Sequence, residues 1–210
     1  MNEQIKRIKW MDEKTENPLV SSPVLLNAAL DLFSMYSYRE ASLNTVLKKT
    51  GLHKGSFYYR FYDKMDLYLS LLHWVGLQKM KVLTSYTDAV PPSQDFFSVF
   101  RMQAKLGLEF ARIDVRYNAL WRRLLSEEKQ ILDIIASVFG DMSNSYITTL
   151  IEASQKNGTI RPDISASSLA AVITMVLERI DLLVSPDSSD EVILSEIDGI
   201  LSILQKGVSI

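Results

Sequence analysis

Residues 42–64 hold the pattern that most restricts how this chain can fold, because they read as two short helices around a tight turn. Ser42 can cap a first helix in which Val46 and Leu47 supply the apolar positions. Gly51 then provides the sharp turn that separates two such helices. The pattern therefore predicts a helix-turn-helix in this part of the chain.

The second helix of this pair has one apolar face and one face rich in cations and phenols. Phe57 and Phe61 are four residues apart, so they share one side of the helix, which we assign to the core. A mixed surface of cations, phenols, a hydroxyl and a glycine suits the phosphate-lined groove of DNA. An ordinary solvated helix pair is the alternative interpretation. The outward positions are Lys54, Gly55, Ser56, Tyr58, Tyr59 and Arg60.

The same stretch resembles a known family. HKGSFYYRFYDKMDLYLSLL is similar to the recognition-helix signature of the TetR family of bacterial transcriptional regulators, whose usual form is close to S-K-G-T-L-Y-Y-H-F followed by K-x-E-L. The preceding LLNAALDLFSMY resembles the first helix of that family. The resemblance covers about residues 22–75. Ser37 departs from it where a glycine usually closes the first helix, and His53 where a small residue is usual.

The resemblance implies a role for each matching position in DNA binding. The expected phosphate contacts are Ser42, Tyr58, Tyr59 and Lys64. The expected base-reading residues are Lys54, Ser56 and Arg60, with Gly55 allowing close backbone approach and His53 able to serve either role. The expected partner is a double-stranded DNA operator.

Composition and charge are compatible with this interpretation. The 210 residues allow one or two domains and include no cysteine, which excludes disulfides and thiolate metal sites. No apolar run approaches the ~20 residues that span a bilayer, and the N-terminus lacks an apolar signal-peptide core, so we expect a cytoplasmic protein. Residues 1–64 hold ten Lys and Arg against seven Asp and Glu, whereas residues 65–210 hold thirteen against eighteen. A basic end on an acidic body directs one surface toward a polyanion.

Proline and glycine divide a chain that otherwise reads as helix, so we predict an all-α fold with two domains. Residues 1–20 are expected to be an extension without regular structure, and a basic DNA-contacting arm is the alternative. Residues 21–66 are expected to form the helix-turn-helix domain and residues 67–210 a larger helical domain for effector binding and dimerisation. Beyond Pro91-Pro92 we predict five helices, at about 94–111, 115–126, 128–157, 165–184 and 189–206.

The last two predicted helices are apolar on more than one face, which predicts a homodimer. A helix of this kind buries one face in its own core and a second face elsewhere. TetR-like proteins pair these helices across a two-fold axis, and the resemblance implies the same here; a central helix of a monomer is the alternative. The predicted interface residues are Ile173, Val176, Ile180, Ile193, Ile197, Ile200 and Leu204.

The resemblance also implies a small-molecule effector held in the larger domain. Aromatic and methionine side chains there suit an apolar pocket, although ordinary core packing is the commoner role for any one of them. The predicted lining residues are Tyr117, Trp121, Tyr146 and Met175.

Nothing in the sequence indicates catalysis. The two histidines are twenty residues apart, and no metalloprotease, nucleophile-elbow or phosphate-loop motif is present. We therefore expect no enzyme activity, no metal and no cofactor. The predicted function is that of a TetR-type regulator, a repressor released from a palindromic operator by an effector. The alternatives are a DNA-binding protein of the same fold without an effector and a ligand-binding module without DNA binding.

Overall fold

The structure is a computed structural model that describes residues 7–87, 96–140, 142–178 and 188–208. Within these ranges the chain is helical and has no strand, which confirms the predicted all-α class. The helices are α1 (Lys9–Asp12), α2 (Pro23–Met35), α3 (Leu43–Thr50), α4 (Lys54–Arg60), α5 (Lys64–Thr87), α6 (Phe96–Ile113), α7 (Val115–Leu125), α8 (Lys129–Phe139), α9 (Met142–Lys156), α10 (Ala166–Glu178) and α11 (Asp190–Val208).

Glycines with a positive φ lie at the ends of three of these helices. Gly51 has φ 70° and ends α3, and Gly158 has φ 78° just after α9, as the sequence predicts. Gly140, with φ 71°, ends α8. Because α8 ends at Phe139 and the backbone of Gly140 is not helical, the prediction of one continuous helix over 128–157 is wrong.

The described residues form two compact units. The first comprises those up to Lys81 together with Ala111–Gly140, and the second those of Val82–Phe110 and Asp141–Ile210. α7 belongs to the first unit, where Arg116 binds Asp31 of α2 through an Nη1–Oδ1 contact of 2.6 Å. The bounds of these units differ from those of the two domains expected at 21–66 and 67–210. The assignment of DNA binding to 21–66 and of effector binding and dimerisation to 67–210 remains a prediction.

The core of the first unit is aromatic and leaves α2, α4 and α5 in fixed positions. Phe33 of α2 and Tyr68 of α5 are fully buried, with ring centroids 4.6 Å apart. Every side chain from Met65 to Leu71 is buried as well. Since α5 is enclosed at its N-terminal end, it is a rigid support for the short helix that precedes it.

Residues 7–20 are packed against this support, whereas the sequence suggested an extension without structure. Ile8 and Leu19 are buried. The indole Nε1 of Trp10 donates to Ser70 Oγ at 2.9 Å, and the amide Nδ2 of Asn17 donates to the Ser70 carbonyl at 2.9 Å. The apolar side chains spaced through this polar stretch provide the burial that orders it.

The second unit has its own core, to which four helices contribute. Phe96, Phe97 and Phe100 of α6 pack in it, with the rings of Phe96 and Phe100 4.9 Å apart. α9, α10 and α11 supply the aliphatic part of this core. Those buried residues are Ile147, Ile151, Leu169, Ala170, Ile173, Ile197, Leu201 and Val208.

Candidate nucleic-acid interface

The second helix of the helix-turn-helix, α4, is held by two phenylalanines. Phe57 and Phe61 are both completely buried, and their ring centroids lie 5.2 Å apart. The backbone N–H of Phe61 donates to the Phe57 carbonyl at 2.9 Å, which closes the last turn of α4. The four-residue spacing thus places the core face where the sequence predicts it.

The opposite face of α4 is open to solvent. Tyr59 is 80% exposed and Tyr58 is 50% exposed, although tyrosine is on average a partly buried residue type. Apart from the backbone of α4 and the residues next to Gly55, no atom lies within 4 Å of the position that a Cβ on Gly55 would take. Three other predicted DNA contacts, Ser42, His53 and Lys54, are exposed as well. Ser56 is half-buried.

Lys64 is not part of this open face. Its ammonium donates to the Tyr38 carbonyl at 2.6 Å and to the Ala41 carbonyl at 2.8 Å, and it lies 4.3 Å from the centroid of the Tyr38 ring. Burial lowers the pKa of Lys64 and raises the pKa of Tyr38 to about 12. Lys64 therefore holds the loop between α2 and α3, because that loop presents two carbonyls to it, and its assignment as a phosphate contact remains a prediction.

Arg60 is folded along its own helix. Its Nη1 donates to the Ser56 carbonyl at 2.7 Å, and the side chain is half-buried. This contact engages one of the five N–H donors of the guanidinium. The assignment of Arg60 to base edges remains a prediction.

Sequence reasoning missed the role of Asp66, which joins three parts of the first unit. Its carboxylate is buried and accepts from the backbone N–H of Tyr62 at 2.8 Å, from that of Lys9 at 3.2 Å and from Ser70 Oγ at 3.2 Å. Burial raises the pKa of Asp66, against the opposing effect of these hydrogen bonds. The K-x-E-L pattern marks an acidic residue at this position, but its partner in the N-terminal segment has no signal in the sequence.

The first helix of the helix-turn-helix is fixed by a network of charges. Asp31 of α2 binds both Lys49 of α3 and Arg116 of α7. Burial alone raises the pKa of Asp31, but hydrogen bonds from Lys49 and Arg116 outweigh it and hold the pKa low. Arg116 also binds Asp114 and donates to Asn27 Oδ1 at 2.8 Å. The network ties α3 to the two helices that support it.

A cleft of about 500 Å³ lies beside the loop that Lys64 holds. Glu127 at its edge is buried and accepts from the Tyr38 backbone N–H at 2.6 Å. Burial raises the pKa of Glu127. None of the predicted effector-pocket residues lines this cleft.

The predicted pocket residues do not gather in one unit. Tyr117 is buried in the first unit, with its ring 6.2 Å from that of Trp74. Trp121 is 41% exposed in the same unit, and Lys79 lies 5.3 Å from its ring centroid. Met175 is an exposed residue of the second unit, and the side chain of Tyr146 lies outside the described residues.

The predicted dimer interface needs correction at its centre. Ile173 and Ile197 are buried in the core of the second unit, and Ile193 and Leu204 pack against that core. Ile200 is half-buried, while the side chains of Val176 and Ile180 lie outside the described residues. Ile173 and Ile197 face inward, into a core to which α6 and α9 also contribute. Among the described side chains of α10 and α11, the large apolar ones that are exposed are Val172, Met175, Val192 and Ile203.

Among the described residues, no group of three or more His, Asp or Glu side chains is placed to hold a metal ion. Within the same ranges, none of the helices is long and apolar enough to cross a membrane.

Residues 25–71 match the family described as bacterial regulatory proteins, tetR family. No curated protein matched in a search with this sequence. Solved structures match over almost the whole chain. A TetR family transcriptional regulator from Chloroflexus aurantiacus is 22% identical, with a TM-score of 0.66 over 92% of this chain and 95% of that one.

Two further structures have the same fold at lower identity. A putative TetR-family transcriptional regulator from Syntrophomonas wolfei is 19% identical, with a TM-score of 0.69 over 87% of this chain and 93% of that one. The fatty acid degradation regulator FadR from Bacillus halodurans is 14% identical, with a TM-score of 0.66 over 88% of this chain and 98% of that one. Residues 25–71 are thus a TetR-family helix-turn-helix domain, and the chain has the fold of TetR-family transcriptional regulators.

Proposed function

We propose that this protein is a sequence-specific DNA-binding transcriptional regulator that inserts α4 into the major groove. The observation that carries the proposal is the exposed face of α4, where Lys54, Gly55, Tyr58 and Tyr59 project from a helix anchored by buried phenylalanines. Such a helix presents donors to phosphates and leaves its backbone open to close approach. His53 and Ser42 extend the same donor surface at the start of α4 and of α3.

The proposal includes a homodimer that reads a palindromic operator. A two-fold axis brings two recognition helices to successive major grooves, and it requires a self-complementary surface. Exposed apolar side chains on α10 and α11 support such a surface, in place of the buried Ile173 and Ile197. Those exposed residues are Val172, Met175, Val192 and Ile203.

A repressor released by a small-molecule effector is the form of regulation we propose. An effector that binds the non-operator conformation better by a few kcal/mol is sufficient to release DNA. The rival is a regulator of the same fold without an effector. A screen of chemically diverse small molecules by tryptophan fluorescence separates the two. If no compound changes the fluorescence, the regulator without an effector is favoured.

Titration into labelled duplex tests DNA binding directly. The duplex from the protein's own upstream intergenic region is compared with a scrambled duplex at several salt concentrations. We expect tight binding to the native duplex alone, with a steep fall in affinity as salt rises. Equal weak binding to both duplexes would contradict sequence-specific recognition at this site, and no binding at low salt would contradict DNA binding altogether.

Gly55→Ala separates DNA binding from folding. A Cβ at this position meets no protein atom, so we expect the fold to be kept and α4 to gain roughly 0.5–1 kcal/mol of helix propensity. The same Cβ stands between the helix backbone and DNA, so operator affinity should fall about tenfold, at about 1.4 kcal/mol. Thermal unfolding and duplex titration of one preparation measure both effects.

Gly76→Ala is the matched control, because Gly76 is an exposed glycine of α5 whose Cβ position is equally open. It should show a similar gain in stability and unchanged affinity. If both alanine variants bind the operator as the wild type does, the backbone at Gly55 does not approach DNA.

A further inference from the structure

The N-terminal segment 7–20 lies outside the family match at 25–71, yet it contacts the end of the recognition helix. The Lys9 ammonium donates to the Tyr58 carbonyl at 2.9 Å. It also lies 5.9 Å from the centroid of the Tyr59 ring and 5.6 Å from that of Tyr62, with Glu13 Oε1 at 3.9 Å. The Lys9 side chain is only 16% exposed, so the structure holds it in this position.

The Tyr58 carbonyl needs a donor from outside α4. In a continuing helix the N–H of Tyr62 would bind this carbonyl, since helical bonds join residues four apart. Here the Tyr62 N–H donates to Asp66 Oδ2 instead, at 2.8 Å. Lys9 therefore supplies the missing donor, and its positive charge is favourable at the C-terminal end of a helix.

The segment is fastened on both sides of Lys9. The backbone N–H of Lys9 donates to Asp66 Oδ2 at 3.2 Å, and the indole N–H of Trp10 donates to Ser70 Oγ. Asp12 Oδ2 accepts from the hydroxyl of Tyr62 at 3.2 Å. The buried side chain of Ile8 adds apolar contact. Lys9 is thus attached to the start of α5.

We propose that residues 7–20 form a strap that fixes the recognition helix for DNA binding, with Lys9 as its positioning residue. The strap binds the C-terminal end of α4 through Lys9 and so fixes the positions of the exposed Tyr58 and Tyr59. Lys9 acts through these residues and does not itself neutralise a phosphate. The inference rests on the proposed function, because the position of α4 matters for DNA only if α4 binds DNA.

Lys9→Met tests the strap against direct DNA contact. Removing the donor should weaken operator binding about tenfold, the scale of one charge-assisted hydrogen bond. The slope of log affinity against log salt should stay unchanged. A lost phosphate contact would instead lower that slope by about 0.9 for each contact. Lys14→Met is the matched control, since it removes the same charge from an exposed position of the segment and should bind as the wild type does.

Hydrogen exchange of free protein provides a test without DNA. In Lys9→Met, amides in the last turn of α4 should exchange about tenfold faster, while those of α10 stay unchanged. The proposal is overturned if the α4 amides of Lys9→Met exchange at the wild-type rate, or if the variant binds the operator with unchanged affinity. A reduced salt slope also overturns it, because Lys9 would then contact phosphate. If the wild-type protein binds no duplex, both the proposed function and the role of the strap in DNA binding fail. Faster exchange of the α4 amides in Lys9→Met would then still establish the strap as a structural support.

Discussion

Phe57→Ala is expected to lower the free energy of unfolding by about 3–5 kcal/mol, the usual effect of removing a buried phenylalanine. Phe57 is completely buried and packs against Phe61 and Tyr58, at centroid distances of 5.2 and 5.3 Å. The cavity would lie beneath the recognition helix, where α4 has only seven residues to hold it in place. Operator binding should fall with stability, because α4 loses its anchor.

Tyr59→Ala is the matched control on the same helix. Tyr59 is 80% exposed, so we expect its loss to change the free energy of unfolding by less than about 0.5 kcal/mol. Operator affinity should nevertheless fall, since the phenol belongs to the open face. Denaturant unfolding and duplex titration of both variants make the comparison. Equal stability losses would contradict the assignment of the two faces of α4.

Asp66→Ala is expected to lower the free energy of unfolding by about 3–4 kcal/mol, because the carboxylate of Asp66 accepts hydrogen bonds from three donors. These are the backbone N–H groups of Lys9 and Tyr62 and the hydroxyl of Ser70. Alanine leaves these donors without an acceptor, and each unsatisfied buried group costs roughly 1–3 kcal/mol. The loss should release the N-terminal segment as well, which limited proteolysis near Lys14 would detect.

Asp66→Asn keeps an acceptor oxygen and should lose no more than about 1.5 kcal/mol. It also isolates the titration of Asp66. Because burial raises the pKa of this carboxyl above its ordinary 3.8, the folded state binds the proton more tightly than the unfolded state. The contribution of Asp66 to stability therefore falls as pH rises from 3.8 through the raised pKa.

Denaturant unfolding of the wild type and of Asp66→Asn, from about pH 3 to about pH 7, measures this contribution. The stability of the wild type relative to the asparagine variant should decrease across that window. An increase would mean that the hydrogen bonds to the carboxylate outweigh its burial. A similar loss for the alanine and asparagine variants would show that the three donors do not depend on the carboxyl oxygen.

Local rules predicted the helix-turn-helix well. Gly51 turns the chain because its left-handed backbone conformation ends α3, and the four-residue spacing of Phe57 and Phe61 buries one face of α4. Both effects depend on residues within a few positions of each other. The same rules missed the break at Gly140, because a single glycine inside a helical pattern can be tolerated as well as terminate it.

Long-range contacts explain the remaining differences. Lys64 has the sequence context of a phosphate contact, but the carbonyls of Tyr38 and Ala41, more than twenty residues away, take its ammonium. Ile173 and Ile197 form part of apolar stripes, and periodicity alone does not tell whether a stripe meets its own core or a partner.

The sequence by itself determined the all-α class, the helix-turn-helix and the core face of α4, since each follows from local spacing. Only the tertiary structure decided that Lys9 reaches Tyr58, forty-nine positions along the chain, and that Asp66 joins the N-terminal segment to α5. Such contacts depend on which surfaces meet when the helices pack. That outcome is a property of the assembled core and not of any short stretch of residues.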